Sequence, residues 1–135
     1  YNISYSFYRA LDVDVDAYQV PDSHMTLGQP QHKIAASATF KPSKDFYITP
    51  SATYYSKRWA ITSYTSDSVY SKTSHRILFN LTLLKKNFLI AGLDASLSVH
   101  NIFNEEYDYI EPYIGFEAPF PGPSRELYLN FVYNF

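Results

Sequence analysis

The feature that most constrains the fold is an alternation of apolar and polar residues with a period of two. At the start of the chain Tyr1, Ile3, Tyr5 and Phe7 alternate with small polar residues. Successive side chains of a β-strand point to opposite faces, so this pattern predicts a strand with one apolar and one polar face. The same alternation recurs along the chain, and it predicts strands at residues 1–9, 31–40, 46–58, 74–85, 88–101 and 124–135.

The connections between these strands alternate in length. Residues 10–30, 59–73 and 102–123 are expected to be long loops, whereas 41–45 and 85–87 are expected to be tight turns. The sequence therefore predicts an all-β, antiparallel up-and-down meander of about six strands, with every long loop at the same end of the strands. The long loops 10–30 and 102–123 are acidic and the tight turns are rich in lysine. Long outer loops opposite short turns are typical of outer-membrane barrels.

Proline interrupts the alternation once, at Pro50 in the third predicted strand. Proline cannot donate a hydrogen bond to a neighbouring strand, and we therefore expect a local bulge there.

Composition excludes several classes of protein and site. The chain has 135 residues, a net charge of −2 and no cysteine, which excludes a disulfide framework, a cysteine zinc site and a thiol nucleophile. The near-balance of charges gives no argument for nucleic-acid binding. The longest apolar run, residues 88–93, is far shorter than the roughly 18–20 residues of a membrane helix. The four histidines lack metal-ligand spacing, and no phosphate loop or nucleophile–base motif occurs, so no metal, no cofactor and no enzymatic activity are predicted.

The polar positions of the strands favour a membrane barrel over a soluble domain. They are filled mainly by Ser, Thr, Asn and Tyr, which suit a hydrated lumen, and aromatic residues lie at several strand ends. Six strands at about 4.8 Å spacing and about 40° tilt would close into a ring only about 12 Å across. The strands are therefore expected to belong to a larger barrel. A soluble all-β ligand-binding module, and a small structural or adhesion barrel completed by oligomerisation, remain alternatives.

Three segments near the end of the chain resemble motifs of a known family. Residues 97–107 (Leu-Ser-Val-His-Asn-Ile-Phe-Asn-Glu-Glu-Tyr) resemble the penultimate-strand motif of TonB-dependent outer-membrane receptors, with Ile102 for leucine and Asn104 for aspartate. Residues 121–127 resemble the family's Pro-Gly-Arg segment before the last strand, although two residues separate Gly122 from Arg125. Residues 129–135 resemble its closing strand, in which Phe131, Tyr133 and Phe135 would form the barrel-assembly signal.

The resemblance implies a barrel of 22 strands closed by an N-terminal plug. Such receptors import scarce ligands, most often ferric siderophores and also haem, cobalamin or glycans, with energy delivered through TonB. Residues 1–135 would be the C-terminal segment of this barrel, without the plug. The implied location is the bacterial outer membrane, with extracellular long loops and a periplasmic C-terminus. The implied partners are outer-membrane lipid and lipopolysaccharide, the remaining barrel and plug, the barrel-assembly machinery, and TonB through the missing N-terminal part.

The last long loop supplies the candidate ligand-binding residues. Its aromatic side chains could stack on a flat catecholate, haem or sugar, and an arginine could hold an anionic chelate. The alternative role of the aromatic side chains is to pack the loop against its neighbours. The alternative role of the arginine is structural pairing inside the lumen. The candidates are Tyr107, Tyr109, Tyr113, Phe116 and Arg125.

Overall fold

The computed structural model describes residues 1–12, 14–15, 18–64, 68–110 and 119–135. In this part of the chain the structure is built from strands and contains no α-helix. The strands are β1 Asn2–Phe7, β2 His32–Ser37, β3 Phe40–Ser43, β4 Phe46–Tyr55, β5 Trp59–Tyr64, β6 Ser68–Lys72, β7 Arg76–Lys85, β8 Leu93–His100, β9 Asp108–Tyr109, β10 Phe120–Pro121 and β11 Glu126–Tyr133.

Six strands form one antiparallel sheet in meander order. The order is β1-β2-β4-β7-β8-β11, and β3 extends the β2 side of β4. The predicted all-β fold and the predicted order of six strands are confirmed. Strands β5 and β6 form a separate hairpin, and β9 pairs with β10.

The strand register gives the sheet two chemically different faces. Residues directly opposite each other in antiparallel strands share a face, and the row Ile48, Leu83, Leu97 and Leu129 runs across four strands. We call this side the apolar face. Its residues are Ile3, Tyr5, Phe7, Ile34, Ala36, Phe40, Phe46, Ile48, Pro50, Ala52, Tyr54, Ile77, Phe79, Leu81, Leu83, Leu93, Ala95, Leu97, Val99, Leu127, Leu129, Phe131 and Tyr133, with His32 and Lys85 at its two ends.

The opposite side, the polar face, carries mainly hydroxyl, amide and charged groups. The row Thr49, Thr82, Ser98 and Tyr128 is representative, and Thr82 Oγ1 lies 3.0 Å from Ser98 Oγ. The apolar exceptions on this face are Ala35, Leu78, Leu84 and Val132.

Neither face of the sheet is covered by the described part of the chain. On the apolar face Leu127 is 68% exposed and Leu129 is 61% exposed. The buried hydrophobic cluster lies instead at the long-loop end of the sheet, where Val20, Leu27 and Ile61 pack together. The sheet therefore has no hydrophobic core of its own, which is unusual for a sheet in water.

One predicted loop is wrong, because residues 59–73 contain the β5–β6 hairpin. The hairpin is packed against the first long loop. Gly28 N–H donates to Trp59 O at 2.9 Å, and the ring of Trp59 lies against the buried cluster. The last long loop, predicted at 102–123, contains the short β9–β10 pair; its residues 111–118 lie outside the described part.

The two tight turns differ from the prediction in their bounds. Strand β3 runs to Ser43, so the first turn is Lys44-Asp45 rather than 41–45. The second turn extends to Gly92, and β8 begins at Leu93 rather than at 88. The extension is held by Gly92, whose N–H donates to Asn87 Oδ1 at 2.9 Å and whose φ is 83°. Such a φ favours glycine.

Pro50 does not produce the expected bulge in β4. Its register with Leu81 of β7 is regular. Pro50 O accepts the Ala38 N–H at 3.2 Å, so this side of Pro50 points toward the break between β2 and β3. Proline has no N–H to donate on that side. The register shift occurs on β3, between Phe40 and Ser43. The proline therefore interrupts the neighbouring strand and leaves its own strand regular.

Candidate functional site

The turn after β8 is organised by Asn101, which is 5% exposed and has φ of 49°. Its N–H donates to Asn80 Oδ1 at 3.0 Å. Its side-chain oxygen accepts the Glu105 N–H at 2.8 Å, and its side-chain nitrogen donates to Glu105 O at 2.9 Å. Asparagine tolerates this left-handed backbone, and its amide supplies both a donor and an acceptor. One side chain thus closes the turn from both sides.

A second asparagine connects this turn to the last strand. Asn104 has φ of 55°, and its N–H donates to Asn101 O at 2.9 Å. Its Oδ1 accepts the Arg125 N–H at 2.9 Å. Position 104 uses only a side-chain oxygen, which aspartate also has, whereas position 101 uses both ends of an amide. An aspartate at position 104 could therefore make the same contact, whereas one at position 101 could not.

The candidate residues Tyr107 and Tyr109 are brought together beside the β9–β10 pair. Their ring centroids are 5.7 Å apart in an edge-to-face arrangement. Gly122 N–H donates to Tyr107 O at 2.6 Å, and a Cβ at position 122 would overlap the Tyr107 ring. The glycine therefore lets the two segments of the loop approach closely.

Arg58 supports this pair from the β4 side of the sheet. Its Nη2 donates to Asp108 O at 3.0 Å, and its guanidinium carbon lies 5.9 Å from the centroid of the Tyr55 ring. Burial lowers the pKa of Arg58, and the nearby Tyr55 and Asp108 oppose that shift. Arg58 thus joins β4 to the last long loop, and the alternation pattern gave no sign of this role.

The Tyr107 phenol is held in its neutral form. Burial raises the pKa of Tyr107 above its ordinary value, and the hydrogen bond with the Tyr109 side chain adds to the shift. A neutral phenol can stack on a flat ligand and can donate a hydrogen bond. The Tyr107–Tyr109 pair is therefore suited to stacking.

Of the other candidates, only Arg125 lies within the described residues. Arg125 is exposed beside the Asn104 turn, and only its backbone N–H takes part in that turn. Arg76 lies 3.6 Å from the Glu105 carboxylate, which is a pairing on the polar side of the strand end. Tyr113 and Phe116 lie outside the described residues.

The proposed assembly residues lie at the tight-turn end of the last strand. Phe131 and Tyr133 lie on the apolar face, and the Phe131 ring centroid is 6.5 Å from that of Phe88. Phe135 follows β11 and packs edge to face on Tyr133 at 5.2 Å.

Searches of the described residues for a metal site and for a membrane helix gave no candidate. No group of three or more His, Cys, Asp or Glu side chains there could hold a metal ion. No helix in the same residues has the length and apolarity needed to cross a membrane. Comparisons with protein-family models, with curated proteins and with solved structures found no match to this chain.

Proposed function

We propose that this chain forms part of the wall and outer loops of a TonB-dependent receptor barrel in the bacterial outer membrane. The observation that carries the proposal is the exposed apolar face backed by a polar face. Six strands about 4.8 Å apart and about 27 Å long present an apolar area on the order of 600 Å². Soluble monomers rarely expose a continuous patch of this size. Lipid would cover the apolar face, and water in a lumen would solvate the polar one.

Aromatic rings at both ends of the apolar face support a membrane orientation. Phe46 and Phe131 lie at the tight-turn end, and Tyr54 and Phe7 lie at the long-loop end. Phe46 and Tyr54 are eight residues apart on β4, or about 27 Å along the strand and about 21 Å along a membrane normal at about 40° tilt. The apolar band of outer-membrane barrels is about 25 Å tall and is flanked by aromatic girdles.

The open edges of the sheet support a larger barrel. Among the described strands, β1 pairs only with β2, and β11 pairs only with β8. Each unpaired backbone group at such an edge would cost several kcal/mol in lipid. Further strands on both edges would satisfy these groups, as the rest of a receptor barrel would.

The asparagine turn and the paired tyrosines support the choice of this receptor family. Asn101 and Asn104 give the family-like motif a defined structural role, and Tyr107 and Tyr109 lie together in the last long loop. We propose uptake of a scarce ligand, with a ferric siderophore as the first to test and haem, cobalamin or glycan as others. The chain would act as wall and ligand vestibule, without catalysis.

The membrane proposal can be tested with two neighbouring positions of β8. The chain has no cysteine, so Leu97→Cys and Ser98→Cys each create a single labelling site on the apolar and the polar face, respectively. The complete receptor, with any cysteine outside these 135 residues removed, is labelled and reconstituted in vesicles. A fluorophore at position 97 should then be quenched by brominated acyl chains. The same fluorophore at position 98 should be quenched by aqueous iodide. Equal quenching at both positions, or a folded monomer in water without detergent, would contradict the proposal.

The receptor proposal is tested in cells that depend on the complete receptor for iron. Tyr109→Ala should impair growth on the cognate ferric chelate while the receptor level in the outer membrane stays unchanged. Tyr18→Ala, at a tyrosine of another long loop that is 42% exposed, is the matched control. If deleting the whole receptor affects growth on no ferric chelate, haem, cobalamin or glycan, the transport function is wrong.

A further inference from the structure

We propose that Lys57, Lys72 and His75 form a site for the phosphate-bearing headgroup of a lipid in the outer leaflet. The inference rests on the proposed membrane orientation and deepens it by assigning residues to one lipid contact. The three side chains line a cavity of about 210 Å³ at the long-loop end of the sheet. Trp59 and Tyr54 line the same cavity.

The cavity lies at the boundary between the apolar face and the outer loops. Tyr54 belongs to the apolar face, where its register partners are Ile34 and Ile77. The ring centroid of His75 is 6.2 Å from that of Tyr54. A lipid whose headgroup occupies the cavity could thus lay its acyl chains along Ile34 and Ile77.

The charge of the cavity is one-sided. Lys57 and Lys72 are cations, His75 offers a ring N–H, and no carboxylate is among the lining residues. The Lys72 ammonium lies 4.8 Å from the centroid of the Trp59 ring, which holds the cation over an aromatic face without neutralising it. A phosphate group complements such a set of donors and charges.

Backbone hydrogen bonds arrange these groups before any ligand binds. Thr73 N–H donates to Arg58 O at 2.8 Å, and Trp59 lies opposite Lys72 in the β5–β6 ladder. On the other side, Ser56 N–H donates to His32 O at 2.9 Å, and His32 N–H donates to Ser56 Oγ at 3.0 Å. Lys57 lies between these two anchored points, which lowers the cost of ordering the site.

A lipid fits the site better than a soluble anion because the cavity opens beside the exposed apolar face. A free phosphate would use the cations alone, whereas a phospholipid or phosphorylated glycolipid would also use the aliphatic surface below them. Lys85 provides an internal comparison, because it also belongs to the apolar face but lies at the opposite end. Its Nζ donates to Lys44 O at 3.3 Å.

The test uses the only tryptophan of the chain, Trp59, as a local reporter. The complete receptor, with every tryptophan outside these 135 residues replaced by phenylalanine, is reconstituted in phosphatidylcholine vesicles that contain increasing amounts of phosphatidic acid, whose headgroup is a bare phosphate. Trp59 emission should change and saturate. In the variant carrying Lys57→Gln and His75→Gln, about fivefold more phosphatidic acid should be needed for half-saturation, because two of the three proposed phosphate contacts, one of them a cation, are changed. Lys85→Gln should leave the half-saturation point within about twofold of wild type, since Lys85 lies outside the cavity.

The outcomes separate this inference from the membrane proposal. If the chain inserts but its emission does not respond to phosphatidic acid, or if the double variant behaves like Lys85→Gln, the headgroup site is wrong and the membrane proposal stands. If inorganic phosphate alone gives the same saturating change, the ligand is a soluble anion and the lipid assignment is overturned. If a label at position 97 is quenched by aqueous iodide and not by brominated acyl chains, the membrane proposal fails and this site fails with it.

Discussion

At the scale of single residues, the side chains that matter most in the loops act on the backbone. Asn101 and Asn104 both adopt positive φ, and each uses its side-chain oxygen to accept a backbone N–H. Only Asn101 also donates, to Glu105 O. The sequence marked both positions through the family resemblance, but it could not show that they do different work, because that depends on which backbone groups come within reach.

Replacement of Asn101 should therefore be much more costly than replacement of Asn104 by aspartate. Asn101→Ala leaves the partly buried Glu105 N–H without its acceptor and puts alanine, which lacks the compensating amide, at positive φ, at a cost of about 2–3 kcal/mol. Asn104→Asp keeps the acceptor for Arg125 N–H and should change stability by less than about 0.5 kcal/mol. Urea unfolding of the complete reconstituted receptor measures both values, and equal losses would show that the Asn101 side chain does not stabilise the turn.

The raised pKa of Tyr107 predicts a loss of stability in alkaline solution. Below pH 10.0, the ordinary value for tyrosine, the phenol is protonated in both folded and unfolded chains and the effect of its environment is fully present. Above that pH the unfolded chain releases the proton while the folded chain retains it, so stability falls as pH rises. Between about pH 9 and 11 the wild type should lose more stability than Tyr107→Phe, which has no proton to release at this position. Parallel pH curves for the two proteins would contradict the assignment.

At the scale of elements, the alternation predicted the six strands of the sheet but missed the β5–β6 hairpin. Strands β4 and β7 are each ten residues long and alternate over most of that length, so period two is easy to recognise there. In the hairpin, Trp59, Ala60 and Ile61 are consecutive apolar residues without alternation, and serine and threonine are frequent in the residues that follow. Its stability comes from contacts with the distant loop residues Val20 and Leu27, and no local pattern encodes such contacts.

The first long loop and the β5–β6 hairpin should behave as one stabilised unit. Leu27 and Ile61 are 1% and 3% exposed and belong to the same cluster. Leu27→Ala and Ile61→Ala should each cost about 2–4 kcal/mol, and the double variant should cost less than the sum by about 0.5–2 kcal/mol. Leu11→Ala, at a position that is 89% exposed, should cost almost nothing. Strict additivity in a thermodynamic cycle would mean that the two segments fold independently.

At the scale of the whole molecule, the main feature of the fold is that the sheet has one apolar face and one polar face. The sequence predicted the separation of faces because each strand keeps its alternation. It could not predict that the same registers align every strand into one continuous apolar surface, since register depends on turn geometry such as the positive φ at Asn87 and Gly92. In the membrane proposal, this apolar surface is the outside of the barrel and contacts lipid.

That interpretation predicts a large difference between two leucines of β7 that lie on opposite faces. Leu81 lies on the apolar face opposite Pro50 and Val99, and Leu78 lies on the polar face opposite Thr53. Leu81→Arg should cost about 2–4 kcal/mol in a bilayer, because a charge in the middle of the lipid face loses its hydration. Leu78→Arg should cost less than about 1 kcal/mol, because the polar face is solvated by lumen water. Asn80, also on the polar face, would be a poorer control, because its Oδ1 accepts the Asn101 N–H and replacing it would remove that hydrogen bond. Urea titration in phosphatidylcholine vesicles gives both values. A larger loss for Leu78→Arg would mean that the two faces have been assigned the wrong way round.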